Sequence, residues 1–216
     1  ALPIWWDFGS RWWGEWSVLG AQTVYAGGGN NHAALEGRAK LGFRAGPHWS
    51  AVLSGERRER AYVRRTQFSV SGRELEGTRL RVLEDEAGLK IEYQRADFQV
   101  SLRAGHLRFG DNGSGYLSYQ RDRLAQECEW KRGDWRFEFE AAVARKVYSV
   151  QTVGFGIVTP ARREDETTAR LRAERRLNSR WLVFAELSNE RVRSNEALSA
   201  YQAKECLLGL RWNWEN

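Results

Sequence analysis

The sequence of 216 residues has only two cysteines, three prolines and no methionine, and it contains no long apolar run. Its longest unbroken apolar segment, 181–185, is far shorter than the roughly 20 residues that a membrane-spanning helix needs. Helical membrane proteins are therefore excluded. Cys128 and Cys206 are too few for a disulfide scaffold and lack the spacing of a metal site, so we expect free thiols, no metal and no cofactor.

The absence of methionine also means that residue 1 is not a translation start. Ala1-Leu2-Pro3 would suit the mature end left by removal of a signal peptide, which predicts a location outside the cytoplasm. The mean hydropathy of −0.64 is typical of a soluble protein, but this average does not register alternation along the chain. A membrane barrel with a polar interior is compatible with it. The 11 Trp, 7 Tyr and 9 Phe exclude a disordered chain.

Alternation of apolar and charged residues is the strongest pattern in the chain. Between 33 and 45 the odd positions are apolar or glycine, and most even positions are charged, as at Glu36 and Arg38. Only a strand separates such residues onto two faces. Four further segments share this period: 89–94, 98–104, 135–143 and 169–174. We also assign 121–131 and 161–176 as strand ends, although their composition favours helices.

Turn-forming residues interrupt this pattern and predict about 12 strands, within a range of roughly 10 to 14. Tight turns, such as 46–47 and 131–134, alternate with longer loops rich in Gly, Ser and Asn, such as 110–115. We also expect turns at 56–61 and 85–88. The predicted fold is all-β, a single antiparallel up-and-down transmembrane β-barrel.

This fold predicts one barrel domain over residues 12–214. The N-terminal segment 1–11 would lie at the membrane interface or in the lumen, and a strand that continues into Trp12-Trp13 is an equal alternative. The longest predicted loop, 151–166, contains apolar residues such as Phe155 and Ile157. Exposed apolar residues on a loop suggest a protein partner or a fold-back lid.

The last strand, 204–214, resembles the terminal assembly signal of bacterial outer-membrane β-barrel proteins. That signal is a glycine followed three and five residues later by apolar or aromatic residues. Gly209, Trp212 and Trp214 match it, whereas Leu207 stands where the family has a polar residue, and two further residues follow Trp214. The resemblance implies an outer-membrane location and contact with membrane lipid. An even number of strands would place both termini on the periplasmic side.

Tryptophans flank the predicted tight turns, and in the proposed topology they all fall at one end of the barrel. Aromatic side chains at such a level are typical of an interfacial girdle. The predicted girdle consists of Trp49, Trp130, Trp135, Trp181, Trp212 and Trp214. The alternative is a soluble β-domain whose apolar face is a core.

The polar face of such a barrel would line the lumen, and arginine dominates it in a chain of net charge +6. The predicted lining residues are Arg38, Lys40, Arg44, Arg79, Arg81, Arg103, Arg136, Glu138, Glu140, Arg170, Arg172 and Glu174. Unpaired arginines would form a narrow channel or porin that prefers small anionic solutes, whereas paired ones would fill a structural barrel. In size and basic lumen the chain resembles the small twelve-stranded porins for acidic oligosaccharides.

Two other functions remain as alternatives. His48-Trp49-Ser50 places a base and a nucleophile on one strand face, and it is similar to the catalytic pair of outer-membrane phospholipase and lipid A deacylase barrels. A soluble basic β-domain could instead bind nucleic acid or another polyanion. Nucleic acid is disfavoured because the positive charges are dispersed among 28 acidic residues.

Overall fold

Alternating side chains produce long extended strands in a computed structural model that describes residues 3–26, 29–154 and 158–212. Eleven strands form one antiparallel sheet in the order of the chain, and a separate two-stranded hairpin lies between its fourth and fifth members. The strands are β1 (Ile4–Phe8), β2 (Trp12–Thr23), β3 (His32–Ala45), β4 (Trp49–Tyr62), β5 (Gln67–Phe68), β6 (Glu74–Leu75), β7 (Arg81–Arg95), β8 (Phe98–Asp111), β9 (Tyr119–Arg132), β10 (Trp135–Thr152), β11 (Ala161–Arg176), β12 (Trp181–Ser194) and β13 (Tyr201–Trp212).

The sheet is an up-and-down meander, as predicted, with β4 paired to β7 across the β5-β6 hairpin. Within the described ranges no ladder joins β13 to β1 or β2. A short 3-10 helix, Ala197–Ser199, lies between β12 and β13. No helix in the described part of the chain is long and apolar enough to cross a membrane.

Connections between the strands alternate in length, which confirms the predicted pattern of tight turns and long loops. The short connections are 9–11, 46–48, 96–97, 133–134 and 177–180, and the long ones are 24–31, 63–80, 112–118, 153–160 and 195–200. Gly46 and Gly133 have φ of 84° and 58° in two of the tight turns, where glycine avoids the steric cost of a Cβ. All short connections therefore lie at one end of the sheet.

Two of the predicted turns are wrong, because β4 continues through 56–61 and β7 continues through 85–88. The run of charges in 56–60 looks like a solvated turn, yet alternate residues of it point to opposite faces and form ion pairs across the sheet. The predicted loop 151–166 is also too long, since β11 begins at Ala161; its Phe155 and Ile157 lie outside the described residues. The assignments of 121–131 and 161–176 as strand are confirmed.

The N-terminal residues contribute a strand to the sheet. Ile4–Phe8 pairs with Trp12–Trp16 of β2, and the indole of Trp6 covers the α-carbon of Gly14. The part of the predicted segment 1–11 that forms β1 is thus extended and hydrogen-bonded to its neighbour, and β2 begins at Trp12.

The sheet has two chemically different faces. The charged face holds the even positions of β3, β4, β7, β10, β11 and β12 and the odd positions of β2, β8, β9 and β13; the apolar face holds the others. Apart from the glycines Gly14 and Gly42, the buried residues of the strands are Val82, Ser101, Leu107, Tyr148 and Glu174, and these five all lie on the charged face. On the apolar face Leu53 and Leu208 remain 57% and 75% exposed. The charged face is therefore the crowded side of the sheet.

Gly209 of β13 has a close neighbour on the charged face. The ring of Phe184, directly opposite on β12, occupies the space that a Cβ of Gly209 would need. The guanidinium of Arg172 lies 4.3 Å from the centre of that ring, on the next strand. A glycine at this position thus lets an aromatic ring lie flat against the backbone.

We expect Gly209→Ala to lower the free energy of unfolding by about 1 to 3 kcal/mol, because the Phe184 ring must move out of its place. Urea unfolding followed by tryptophan fluorescence measures this change. Gly37→Ala on β3 is the matched control, since a Cβ there would meet nothing within 4 Å. Equal stability of the two variants would contradict the role of the glycine.

Candidate functional site

An ion-pair network crosses β3, β4 and β7 on the charged face. Arg58 Nη2 lies 2.6 Å from a carboxylate oxygen of Glu36 and 2.9 Å from one of Glu56, and its Nη1 lies 3.6 Å from Glu84. Arg38 approaches the same first two carboxylates, at 3.0 Å from Glu36 and 2.9 Å from Glu56. The register sets Glu36 opposite Arg58 and Arg38 opposite Glu56. Opposite charges thus face each other across neighbouring strands, the favourable arrangement for a sheet.

A second network joins β10, β11 and β12. Arg172 lies 2.6 Å from Glu174 and 2.9 Å from Glu186, and Arg170 lies 3.1 Å from Glu186 and 3.3 Å from Glu140. The side chains of Arg172 and Glu174 are only 13% and 8% exposed. A planar guanidinium can bridge two carboxylates at once, so each arginine ties adjacent strands together.

Smaller pairs extend this pattern along the charged face. Arg136 lies 2.7 Å from both Glu129 and Glu138. Further pairs on this face are Lys40 with Glu15, Lys90 with Glu92, and Arg103 with Glu127. Most of its cations therefore have a carboxylate within direct contact.

The predicted lining residues do not all lie together. Those on the charged face with an ion-pair partner are Arg38, Lys40, Arg103, Arg136, Glu138, Glu140, Arg170, Arg172 and Glu174. Arg44 shares that face without an ion pair to any described residue. Arg79 precedes β7, and Arg81 occupies an odd position of β7, which belongs to the apolar face. The first residue of a strand takes its face from the register of the whole ladder, which the local sequence does not reveal.

Arg121 and Arg123, like Arg44, lie on the charged face without an acidic partner among the described residues. Arg121 and Arg123 of β9 stand opposite Leu107 and Gly105 of β8, so no carboxylate faces them there. The Nε atom of Arg121 is buried without a hydrogen-bond partner. With Lys146 opposite Arg121 on β10, these side chains form a local group of cations near the long-connection end of this face.

An aromatic rim follows the short-connection end of the apolar face. It consists of Trp12, Phe43, Trp49, Tyr93, Phe98, Trp130, Trp135, Phe137, Trp181 and Trp212. Ring centres are 5.0 Å apart in the Trp49 and Tyr93 pair, and 5.5 Å apart in the Trp181 and Trp212 pair. Five of the six tryptophans of the predicted girdle are in this rim; Trp214 lies outside the described residues.

A band of apolar side chains separates the aromatic rim from a row of polar residues. This boundary row consists of Arg57, Asp85, His106, Asp122, Arg145, Asp165, Asn189 and Lys204. From Trp49 to Arg57 the β4 strand rises about 27 Å at 3.4 Å per residue, or about 20 Å after the tilt usual in membrane barrels. The band is thus close to the height of a membrane-facing apolar belt.

The predicted catalytic pair is not assembled. His48 lies in a tight turn, where its Nδ1 donates a hydrogen bond to the backbone carbonyl of Gln94 at 3.0 Å. Within the described residues Ser50 forms no hydrogen bond with it. His106 and Asp122, 2.7 Å apart, belong to the boundary row, and neither has a nucleophilic hydroxyl as a hydrogen-bond partner there. No group of three His, Cys, Asp or Glu side chains in the described ranges could hold a metal ion.

A meander of this kind, with short turns at one end, an aromatic rim and an apolar band on one face and charge on the other, has the architecture of outer-membrane β-barrel proteins. OmpT, an outer-membrane protein of Vibrio cholerae, matches 98% of this chain with a TM-score of 0.62 and 12% identity. The siderophore receptor PiuA from Acinetobacter baumannii matches 95% of it with a TM-score of 0.52 and 13% identity. The chain spans 63% and 43% of those two structures. No family model and no curated protein matches it.

We expect Arg172→Gln to lower the free energy of unfolding by about 1 to 3 kcal/mol, because the buried Glu174 carboxylate loses a charged hydrogen-bond donor. Urea unfolding of the purified chain measures the loss. Arg44→Gln removes the same charge from the same face without breaking an ion pair, and should change stability little. A similar loss of unfolding free energy in both variants would show that stability depends on the total charge and not on the ion pairs.

Proposed function

We propose that this chain is an outer-membrane β-barrel protein whose apolar face contacts lipid and whose charged face lines the interior. The segregation of the two faces carries this proposal. The apolar side chains are exposed and lie in a band of membrane height, whereas the buried side chains of the strands are on the charged face. A soluble domain would cover its leucines with a second layer, and the described chain has only one sheet of this size.

The aromatic rim supports an orientation for the chain in the membrane. Short turns are periplasmic and long loops extracellular in barrels of this class. The rim lies at the short-connection end, and the last described residue, Trp212, belongs to it. We therefore place this end, where β2 begins at Trp12 and β13 ends at Trp212, on the periplasmic side. The expectation that both termini share this end does not fit β1, which runs towards it from Ile4, opposite Trp16, in a sheet of eleven strands.

The interior in this proposal is narrow and crossed by arginine-glutamate pairs. Paired charges leave little free positive field, so ion flow through the interior is small. Arg44, Arg121 and Arg123, which have no acidic partner among the described residues, bias that flow towards small anions. The function is thus a low-conductance barrel with anion preference, in which most of the charge serves to hold the strands together.

Depth-dependent arginine substitutions test the lipid contact. Leu171→Arg places a charge in the middle of the apolar band and should cost about 2 to 4 kcal/mol of stability in a bilayer, compared with about 0 to 1 kcal/mol for Thr167→Arg near the boundary row. Both positions are exposed on the same face of β11. Urea unfolding in lipid vesicles measures both variants.

In aqueous solution the two arginines would meet water equally, because both side chains project from the same exposed face. Equal costs for Leu171→Arg and Thr167→Arg would therefore contradict insertion of this face in lipid. Stability of the unmodified chain in buffer without detergent would contradict it as well.

Planar-bilayer recordings test the interior. We expect small, anion-selective conductance steps from the unmodified chain, and larger steps with stronger anion preference from the double variant Glu174→Gln, Glu186→Gln. That variant removes both carboxylates that Arg172 contacts and leaves Arg170 with Glu140 alone. Glu205→Gln is the control, because Glu205 lies exposed on the charged face without an ion pair to a described residue. Steps that favour cations, or no steps in either form, would contradict the proposal.

A further inference from the structure

The boundary row changes character at its β12-β13 end. Between earlier strands its polar side chains have partners: Arg57 forms an ion pair with Asp85 at 3.7 Å, and His106 donates a hydrogen bond to Asp122 at 2.7 Å. On β12 and β13 the cations at and just beyond the row are Arg191, Arg193 and Lys204, and none of them forms an ion pair with a described residue. This end of the boundary row therefore has three neighbouring cations without an ion pair to a described residue.

The strand register brings these side chains together. Arg191 stands between Thr167 of β11 and Gln202 of β13, and Arg193 stands opposite Asp165. The Asp165 carboxylate is already bound by two other cations, Arg145 at 2.7 Å and Arg163 at 3.5 Å. We call the group Arg145, Arg163, Asp165, Arg191, Arg193 and Lys204 the cationic corner. It contains five cations and one carboxylate, which is in contact with Arg145 and Arg163.

The cationic corner adjoins both polar groups and exposed leucines. Gln202 donates a hydrogen bond to Asn189 at 3.0 Å, which places two side-chain amides beside the arginines. Along the same strands, towards the aromatic rim, lie Leu171, Leu187 and Leu208, all of them exposed. A groove of about 1190 Å³ extends across the sheet from β4 to β13 and is bordered at this end by Thr167, Asn189, Arg191, Arg193 and Gln202. A cationic and polar surface beside exposed leucines matches an amphiphile with an anionic head group and apolar chains.

We propose that the cationic corner binds the phosphate group of a membrane lipid whose acyl chains lie along the leucines of β11, β12 and β13. This proposal rests on the proposed insertion of the apolar face in a membrane. Arginine guanidinium groups form forked hydrogen bonds to phosphate oxygens, and unpaired cations at a membrane boundary attract anionic headgroups. The position of the corner, one apolar band away from the aromatic rim, sets it at headgroup level in the leaflet on the long-loop side.

Native mass spectrometry of the full chain in a non-ionic detergent tests the lipid site. The probes are diphosphorylated lipid A and, as the zwitterionic control, phosphatidylcholine. We expect lipid A to bind in preference to phosphatidylcholine, and the double variant Arg191→Ser, Arg193→Ser to lower the affinity for lipid A about tenfold. Phosphatidylcholine binding should not change.

The double variant Arg57→Ser, Arg108→Ser is the matched control, because it removes the same charge from the apolar face at β4 and β8. We expect its affinity for lipid A to stay within about twofold of the unmodified chain. Equal losses in the two double variants would overturn the specific site in favour of general charge attraction. No preference for lipid A over phosphatidylcholine would overturn the proposal, as would displacement of lipid A by an acidic peptide or by millimolar inorganic phosphate.

The depth-dependent substitutions on β11 separate this proposal from the one on which it rests. If Leu171→Arg and Thr167→Arg differ as expected but the Arg191 and Arg193 variant binds lipid A normally, only the lipid site is wrong. If the two β11 variants have equal stabilities, membrane insertion itself fails.

Discussion

Alternation of side chains along an extended backbone is the constraint on which the rest of this structure depends. Neighbouring strands use each other's backbone N–H and C=O groups, so only the side chains meet the surroundings, and they do so on two faces. In the described residues the buried hydrophobic side chains are few: Leu80, Val82, Leu107 and Tyr148. A single sheet with so small a core depends on an apolar environment to cover its other face.

Charge pairing is the second consequence of this arrangement. Side chains that share the charged face stand directly opposite one another on adjacent strands, where like charges would repel and opposite charges attract. Arg58 and Arg172 each bridge carboxylates on neighbouring strands, and the planar guanidinium suits that role better than a lysine ammonium. Many of the arginines therefore serve to join neighbouring strands, independently of any role in ion flow.

The strand at 56–60 could not be predicted from its local composition. Its five charged residues have the composition of a solvated turn, and nothing nearby in the sequence shows that Glu36 and Glu84 will face them. The period of two continues through the segment, so a stricter reading of the alternation predicts the longer strand that is present. His106 is a second residue whose partner the local sequence does not show. Its partner, Asp122, belongs to the next strand and becomes a neighbour only through the register.

The residue pattern along the chain predicts the all-β meander, the alternation of short and long connections, and the position of most tryptophans near the short connections. These features depend on residues close together in the chain. Three features depend on the tertiary structure: which cations are paired, which face Arg81 takes, and that Arg191 and Arg193 form no ion pair with a described residue. The physical reason is that a period of two specifies only the face of a side chain, whereas the register between strands sets the distances between charges.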